Sequence, residues 1–318
     1  MLRYAPAIQP TMYFIGVSTS GSSIMKIFPR WMEHFGTPEA ILIGIDFPLH
    51  AEPAAYREAV RFIKADPLSL GALVTTHKVD VFHAARDLFD ALDPYAEQLG
   101  EVSCLSKRNA RLIGHAKDPI SSGLALTELI PENHWERTRA EAFIMGAGGA
   151  ATAISWYLNH GREAQLGRHP SRLIISDRNS SRLEEVRRLH SAKRCAVKVD
   201  FLTVSGTPDH DAVLTGLTPG SLVVNATGLG KDAPGSPVSA SAHFPERGII
   251  WELNYRGDLV FLEQARAQRR AKGLQIEDGW TYFLHGWTRA IAEVFALDIP
   301  TSGAGFQELA RIATEAAR

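Results

Sequence analysis

Phe143-Ile144-Met145 runs straight into Gly146-Ala147-Gly148-Gly149-Ala150-Ala151, and this segment constrains the fold more tightly than any other. An apolar run that ends in a glycine cluster and resumes with helical period reads as strand, turn and helix. The backbone N–H groups of such a turn point at whatever lies before the helix N-terminus, where the helix dipole favours an anion. Gly146 permits the tight turn, and Gly148 and Gly149 keep side chains away from a pyrophosphate. Ala151, at the usual third-glycine position, is still small enough for close helix–strand packing. The spacing predicts a dinucleotide-binding loop over Gly146, Ala147, Gly148, Gly149 and Ala150. A purely structural turn is the alternative for the motif alone.

The rest of the chain alternates in the same α/β manner. Strands are expected at Met12–Val17, Ala40–Ile45, Gly71–Thr75 and Glu101–Leu105, with helices at Ile24–Phe35, Ala54–Lys64 and Val79–Leu92 between them. Pro29 is expected to kink the first helix or displace its start. A second series opens at Ala142–Met145 and continues through Arg172–Ser176, a helix from Ser181, Ala196–Asp200, Ser221–Asn225 and Gly248–Glu252. The boundary is expected at Asp118–Pro119, followed by a helix near Ile120–Leu129 and a polar stretch at Pro131–Ala140. Helices at Trp280–Phe295 and Gly305–Ala317 are expected to return to the first domain. The expected fold is α/β with two domains: an N-terminal α/β substrate-binding catalytic domain, residues 1–118 plus 281–318, and a Rossmann-type dinucleotide-binding domain, residues 119–280.

The chain has 318 residues, 45% of them hydrophobic, enough for two cores. Its 34 Lys and Arg against 35 Asp and Glu leave a net charge of -1, so nothing electrostatic points to nucleic acid or an anionic membrane as partner. No apolar run approaches the ~20 residues of a membrane span, and Met1–Gln9 lacks the order of a secretory signal. Cys104 and Cys195 are the only cysteines; neither a disulfide framework nor a metal site is expected, and a cytoplasmic setting follows.

Two further strand ends carry candidate chemistry. Ile174-Ile175-Ser176-Asp177-Arg178-Asn179-Ser180-Ser181-Arg182 falls where an adenosine ribose lies in a Rossmann unit. Asp177 could accept from ribose hydroxyls, favouring NAD, whereas Arg178 and Arg182 could clamp a 2′-phosphate, favouring NADP; helix capping by Asp177 and solvated arginines are the alternative. An insertion around Gly161–Pro170 accounts for the long spacing from the glycines. Val223-Val224-Asn225-Ala226-Thr227-Gly228-Leu229-Gly230 is another strand entering a glycine turn, suited to a nicotinamide riboside through Asn225, Thr227 and Gly228.

On these motifs the sequence resembles the shikimate dehydrogenase family over nearly its whole length. The family's N-R-T-x-x-R stretch is similar to Asp177–Arg182, and its N-A-T-x-x-G-M turn to Asn225–Lys231, with Lys231 replacing methionine. The catalytic lysine after N-V-T-x-P-x-K is similar to Lys78 in Leu73-Val74-Thr75-Thr76-His77-Lys78, one residue shorter and without the proline. The catalytic aspartate of G-x-N-T-D is similar to Asp118 in Gly114-His115-Ala116-Lys117-Asp118. The resemblance also implies substrate contacts from Ser20, Ser22, Thr75, Ser103, Tyr255 and, allowing a gap, His285. It implies NADP as cofactor (NAD possible), a monomer or homodimer, and a shikimate- or quinate-like substrate of aromatic amino acid biosynthesis.

The departures are chemical. Ala116 and Ser103 stand where the family has asparagines, which removes amides that read hydroxyls. Shikimate is therefore expected to be a poor substrate, and the favoured ligand a small hydroxylated carboxylate held by Ser20 and Ser22. Lys117 adds a cation beside Asp118 that could serve a second anionic group or point into solvent. Oxidising a secondary alcohol by hydride transfer needs a group to take the hydroxyl proton. Lys78, oriented by Asp118, fits that role on loops expected to face a substrate cleft. Each residue alone also reads as an ordinary helix-start residue. A dinucleotide-binding sensor with little turnover is a second reading, and a dehydrogenase of the same plan acting on a folate or an amino acid is a third.

Overall fold

The structure is a computed structural model and describes residues 4–160, 169–192, 196–231 and 233–318. Most of the proposed 161–170 insertion and Cys195 lie outside those residues. The chain divides into two compact units, residues 1–117 with 284–318 and residues 118–283.

The second unit carries a six-stranded sheet. Its strands are β7 (Ala142–Met145), β8 (Leu173–Asp177), β9 (Val199–Thr203), β10 (Leu222–Asn225), β11 (Ile249–Glu252) and β12 (Gln275–Glu277). They lie in the order β12-β11-β10-β7-β8-β9, every neighbouring pair parallel. This is the doubly wound dinucleotide-fold order, reversing between β7 and β10. The four-residue strands β7, β10 and β11 are apolar up to their last residue, which is polar in β10 (Asn225) and β11 (Glu252), because both faces are covered. Ala142, Ile144, Leu222, Val224, Ile249 and Trp251 enter one core cluster, while Phe143, Met145, Val223 and Ile250 enter a second. Helices α5 (Asp118–Leu129), α6 (His134–Thr138), α7 (Gly149–His160), α8 (Ser180–Ser191), α9 (Thr207–Gly216) and α10 (Val260–Lys272) connect or flank the strands.

The first unit carries β1 (Thr11–Gly16), β2 (Ile41–Asp46), β3 (Ser69–Val74), β4 (Ala91–Leu92), β5 (Cys104–Arg108) and β6 (Arg111–His115), in the order β2-β1-β3-β5-β6-β4. Three parallel strands, β2, β1 and β3, adjoin an antiparallel β5–β6 hairpin. Its helices are α1 (Ile24–His34), α2 (Pro53–Ala65), α3 (Lys78–Ala85), α4 (Pro94–Leu99), most of α11 (Trp280–Phe295) and α12 (Gly303–Ala317).

Several local expectations are corrected. Pro29 does not displace the start of α1, which begins five residues before it and runs on to His34; lacking an N–H, it forgoes the ladder bond to the Met25 carbonyl. The helix expected through Leu92 ends at Ala85, because Asp90 pairs with β6: its N–H donates to the Leu112 carbonyl at 2.8 Å, and its carboxylate accepts from Leu112 N at 2.7 Å. The strand expected at Glu101–Leu105 lies at Cys104–Arg108 and turns back through Asn109 and Ala110, both at positive φ. The polar stretch Pro131–Ala140 holds the short helix α6.

Candidate active site

At the reversal point of the second unit the ends of β7 and β10 meet. Gly146 has φ +107, and a Cβ there would lie 2.6 Å from the Ala226 carbonyl oxygen, so only glycine fits between the two turns. A Cβ at Gly148 would meet nothing within 4 Å. Internal packing therefore does not require that glycine, and its bare backbone leaves open space in front of α7. This is the cradle a phosphate group needs, and Gly149 and Ala150 open the helix behind it.

Asp177 serves the loop rather than a helix cap. Its Oδ2 accepts from Ala147 N at 2.8 Å, and its Oδ1 from Asn179 N at 2.8 Å. Asn179 is the cap of α8, its side-chain oxygen accepting from Ser181 N and Arg182 N. Both Asp177 oxygens are thus engaged, although each retains acceptor capacity, and the Ala147 N–H is directed at β8. Arg178 and Arg182 are exposed, and neither is in an ion pair among the described residues.

The β10 turn is built on a buried carboxylate that the motif reading missed. Glu252 ends β11 in register with Asn225 and is fully buried. Its Oε2 accepts from Asn225 Nδ2 at 2.6 Å, and its Oε1 from Asn254 N and Nδ2, both at 2.8 Å. Asn225 Oδ1 in turn accepts from Thr227 N at 3.1 Å and Thr227 Oγ1 at 2.7 Å, and Asn254 Nδ2 reaches the Leu229 carbonyl at 3.2 Å. Burial pushes the Glu252 pKa up to about 7 against the pull of its three donors. Gly228 follows at φ +77. A polar residue ending an otherwise apolar strand, Ile249-Ile250-Trp251-Glu252, is the available signal. Tyr255, three residues on, is half-buried against Trp280 and Phe283, with ring centroids 5.4 and 4.6 Å away.

In the first unit the C-terminal ends of β1 and β3 carry Ser20, Ser22, Thr75 and Lys78. Ser20 is exposed and Ser22 half-buried; their turn is pinned by Thr19 N donating to Asp46 Oδ1 at 2.9 Å. Thr75 N continues the sheet by donating to the Ile15 carbonyl at 2.9 Å. Thr76 then adopts φ +63, a left-handed conformation rare for a β-branched residue. His77 is buried, with Nδ1 2.8 Å from the Tyr56 hydroxyl, and burial lowers its pKa. Lys78 is the first residue of α3, half-buried, and its carbonyl accepts from Val102 N at 3.2 Å.

The segment after β6 holds the rest. Ala116 is fully buried and Ser103 almost so; Ser103 Oγ accepts from Lys117 N at 2.7 Å. Lys117 neither faces solvent nor awaits an anion: its ammonium donates to Glu293 Oε2 at 2.7 Å. Asp118 is a buried residue opening α5, with Pro119 in the first turn. His285 is fully buried, its ring stacked on Phe306 at 4.2 Å. Among the described residues no group of three or more His, Cys, Asp or Glu side chains could hold a metal ion. Among them, too, no helix is long and apolar enough to cross a membrane.

No protein-family model matches the chain. The shikimate dehydrogenase (NADP(+)) of Streptococcus thermophilus is 28% identical over 226 residues, covering 70% of this chain and 72% of that protein. The enzyme of the same name from Symbiobacterium thermophilum is 28% identical over 237 residues, covering 73% and 72%. Among solved structures, shikimate dehydrogenase from Aquifex aeolicus superposes with a TM-score of 0.72 at 18% identity, covering 99% of this chain and 100% of that one. The 5-ketofructose reductase of a Gluconobacter strain superposes at 0.68 with 19% identity, covering 96% and 98%; these two likenesses show the shared fold. Together with the glycine loop at the reversal point, the curated matches make the chain similar to shikimate dehydrogenases over about 70% of its length.

Proposed function

We propose that the protein is an NAD(P)-dependent oxidoreductase of the shikimate dehydrogenase type. It would interconvert a secondary alcohol and a ketone on a small hydroxylated carboxylate. The observation that carries this reading is the glycine loop at the reversal point of an all-parallel sheet, with open space where a Cβ of Gly148 would stand. The loop from Gly146 to Ala150 would hold the pyrophosphate, helped by the α7 dipole. Asn225, Thr227 and Gly228 would back the riboside, their turn fixed by Glu252. Arg178 and Arg182, exposed beside the capped start of α8, favour NADP, because each can fork onto phosphate oxygens. The name of the relatives, shikimate dehydrogenase (NADP(+)), supports that choice. A solved relative from Listeria monocytogenes holds shikimate and NAD, which keeps NAD in view.

When bound, the nicotinamide supplies or receives the hydride. The chain supplies the rest. Lys78 takes the hydroxyl proton during oxidation and returns it during reduction, and Asp118 orients its ammonium. Ser20 and Ser22 hold the carboxylate, with Thr75 and Tyr255 as further contacts. Ser103 and His285 contribute less, since the Ser103 oxygen already accepts from Lys117 N and the His285 ring is packed on Phe306. With Ala116 buried and no amide in its place, hydroxyl recognition is weak, and shikimate itself should be turned over poorly.

The test is a panel of shikimate, quinate and related hydroxy acids with NADP and with NAD, read by absorbance of the reduced cofactor. Lys78→Ala should lower kcat by roughly 10²–10⁴-fold, the range for losing a positioned acid–base group, with cofactor affinity retained. Equal turnover by variant and wild type would remove Lys78 from the reaction.

A further inference from the structure

The segment that delivers Asp118 is held by a charge cluster that the reaction itself does not use. The Lys117 ammonium lies between two carboxylates: Glu293 Oε2 on α11, at 2.7 Å, and Asp93 Oδ2, the cap of α4, at 3.8 Å. Its side chain is 14% exposed, against 16% for Asp93 and 28% for Glu293. His115 faces the same pair, with Nδ1 3.5 Å from Asp93 Oδ2 and Nε2 3.7 Å from Glu293 Oε1; Nε2 also lies 2.8 Å from Ser106 Oγ. Arg108 approaches Glu293 from the more exposed side at 3.7 Å. Burial works against ionisation of Asp93 and Glu293, yet their hydrogen bonds and the neighbouring cations outweigh it and hold both carboxyls below their usual range.

The backbone is tied to the same cluster. Asp93 N donates to the Gly114 carbonyl at 2.9 Å, Ala116 N to Asp93 Oδ1 at 3.3 Å, and Lys117 N to Ser103 Oγ at 2.7 Å. Lys117 is therefore fixed at both its amide and its ammonium. Ion pairs this buried contribute little net stability against hydrophobic alternatives; what this one offers is geometry, since Asp93 and Glu293 are each held by further donors. Asp118 is the next residue, and its side-chain direction depends on the backbone angles at the 117–118 junction.

We infer that Lys117 is a positioning residue for Asp118. By locking the end of β6 to α4 and α11, it sets where the Asp118 carboxylate points. The inference rests on the role proposed above for Asp118 as acid–base partner of Lys78.

Lys117→Met, Lys117→Arg, Asp118→Asn and the Met–Asn double variant test it in the full-length protein. The substrate is whichever acid of the panel the wild type turns over with NADP; amide hydrogen exchange across residues 114–120 is measured in parallel. Lys117→Met should lose up to about 10²-fold in kcat, the scale of a misplaced catalytic group, with the KM for NADP unchanged. Exchange at 116–118 should quicken. Lys117→Arg should restore both, since it keeps a cation between the carboxylates, and in the Asp118→Asn background the Met change should cost nothing more. If Lys117→Met does not fold, Glu293→Gln, which leaves Asp93 opposite the ammonium, should show the same changes in smaller degree. Wild-type kcat and exchange in folded Lys117→Met would overturn the inference, as would an undiminished loss in the Asp118→Asn background. Wild-type turnover by Asp118→Asn alone would instead overturn the acid–base reading, and the positioning role with it.

Discussion

Replacing Glu252 by Gln perturbs the best-defined electrostatic feature of the dinucleotide-binding unit. The carboxyl is fully buried and its pKa is raised from 4.5 to about 7. A raised acid pKa stabilises the fold while the group is protonated in both states, below the unfolded value; the contribution is lost as pH rises through the folded value. At about 1.4 kcal/mol per pKa unit, the shift amounts to about 3 kcal/mol in full, of which about 2 kcal/mol falls between pH 5.5 and 8.5. Glutamine cannot ionise, so this slope should vanish. It should also introduce a pH-independent loss of about 1–3 kcal/mol, because its amide N–H₂ would face Asn225 Nδ2 across the place of a 2.6 Å bond. Urea titrations of both proteins at pH 5.5, 7.0 and 8.5, read by hydrogen exchange in peptides from β10 and β11, separate the two effects. The stability advantage of the wild type over the variant should shrink by about 2 kcal/mol from the lowest pH to the highest. A gap that stays constant with pH would mean that Glu252 titrates normally and that the burial argument is wrong.

Two other perturbations bear on cofactor choice and on the lysine loop. Arg178→Ala should weaken NADP by roughly tenfold or more, the loss of one charge-assisted hydrogen bond, and should leave NAD nearly unchanged; equal weakening in fluorescence titrations would show that Arg178 does not read the 2′-phosphate. Thr76→Gly should relieve about 1–2 kcal/mol of left-handed strain against roughly 0.5–1 kcal/mol of added chain entropy. Thermal unfolding should therefore show unchanged or slightly raised stability, and a clear loss would mean that the Thr76 side chain is needed where it stands.

The parallel sheet was readable because burial on both faces writes each strand as an unbroken apolar run, and Phe143-Ile144-Met145 and Val223-Val224 are such runs. The β5–β6 hairpin was not. Its outer residues Lys107, Arg108 and Arg111 are polar, and its turn uses Asn109-Ala110 at positive φ where Asn-Gly would have announced it. In the sequence Asp177 reads as a ribose acceptor or a helix cap; in the fold it ties the glycine loop to β8, a role requiring that Ala147, 30 residues earlier, be known as its neighbour. Lys117 was visible as a cation, but its partner Glu293 lies 176 residues away. Glu252 and Asn225 meet only because β10 and β11 pair in one register. Motif spacing reports the turn that follows a strand; it is silent on the side chains that brace that turn from a neighbouring strand.

The first unit is interrupted in the chain: it ends at Lys117 and resumes at Leu284. A ribosome therefore finishes its whole sheet, then makes the entire second unit before α11 and α12 emerge. Through that interval the α1 stripe of Ile24, Ile27, Phe28, Trp31 and Met32, all buried in the finished protein, lacks α12, against which α1 packs. The Trp31 indole N–H has yet to meet the Leu309 carbonyl, 3.0 Å away in the complete fold. The nascent chain thus carries an apolar stripe that lacks part of its cover, the kind of surface a holding chaperone binds. A premature stop before α12 would leave that stripe without its partner for good, and the cell would meet the chain as a substrate for quality control.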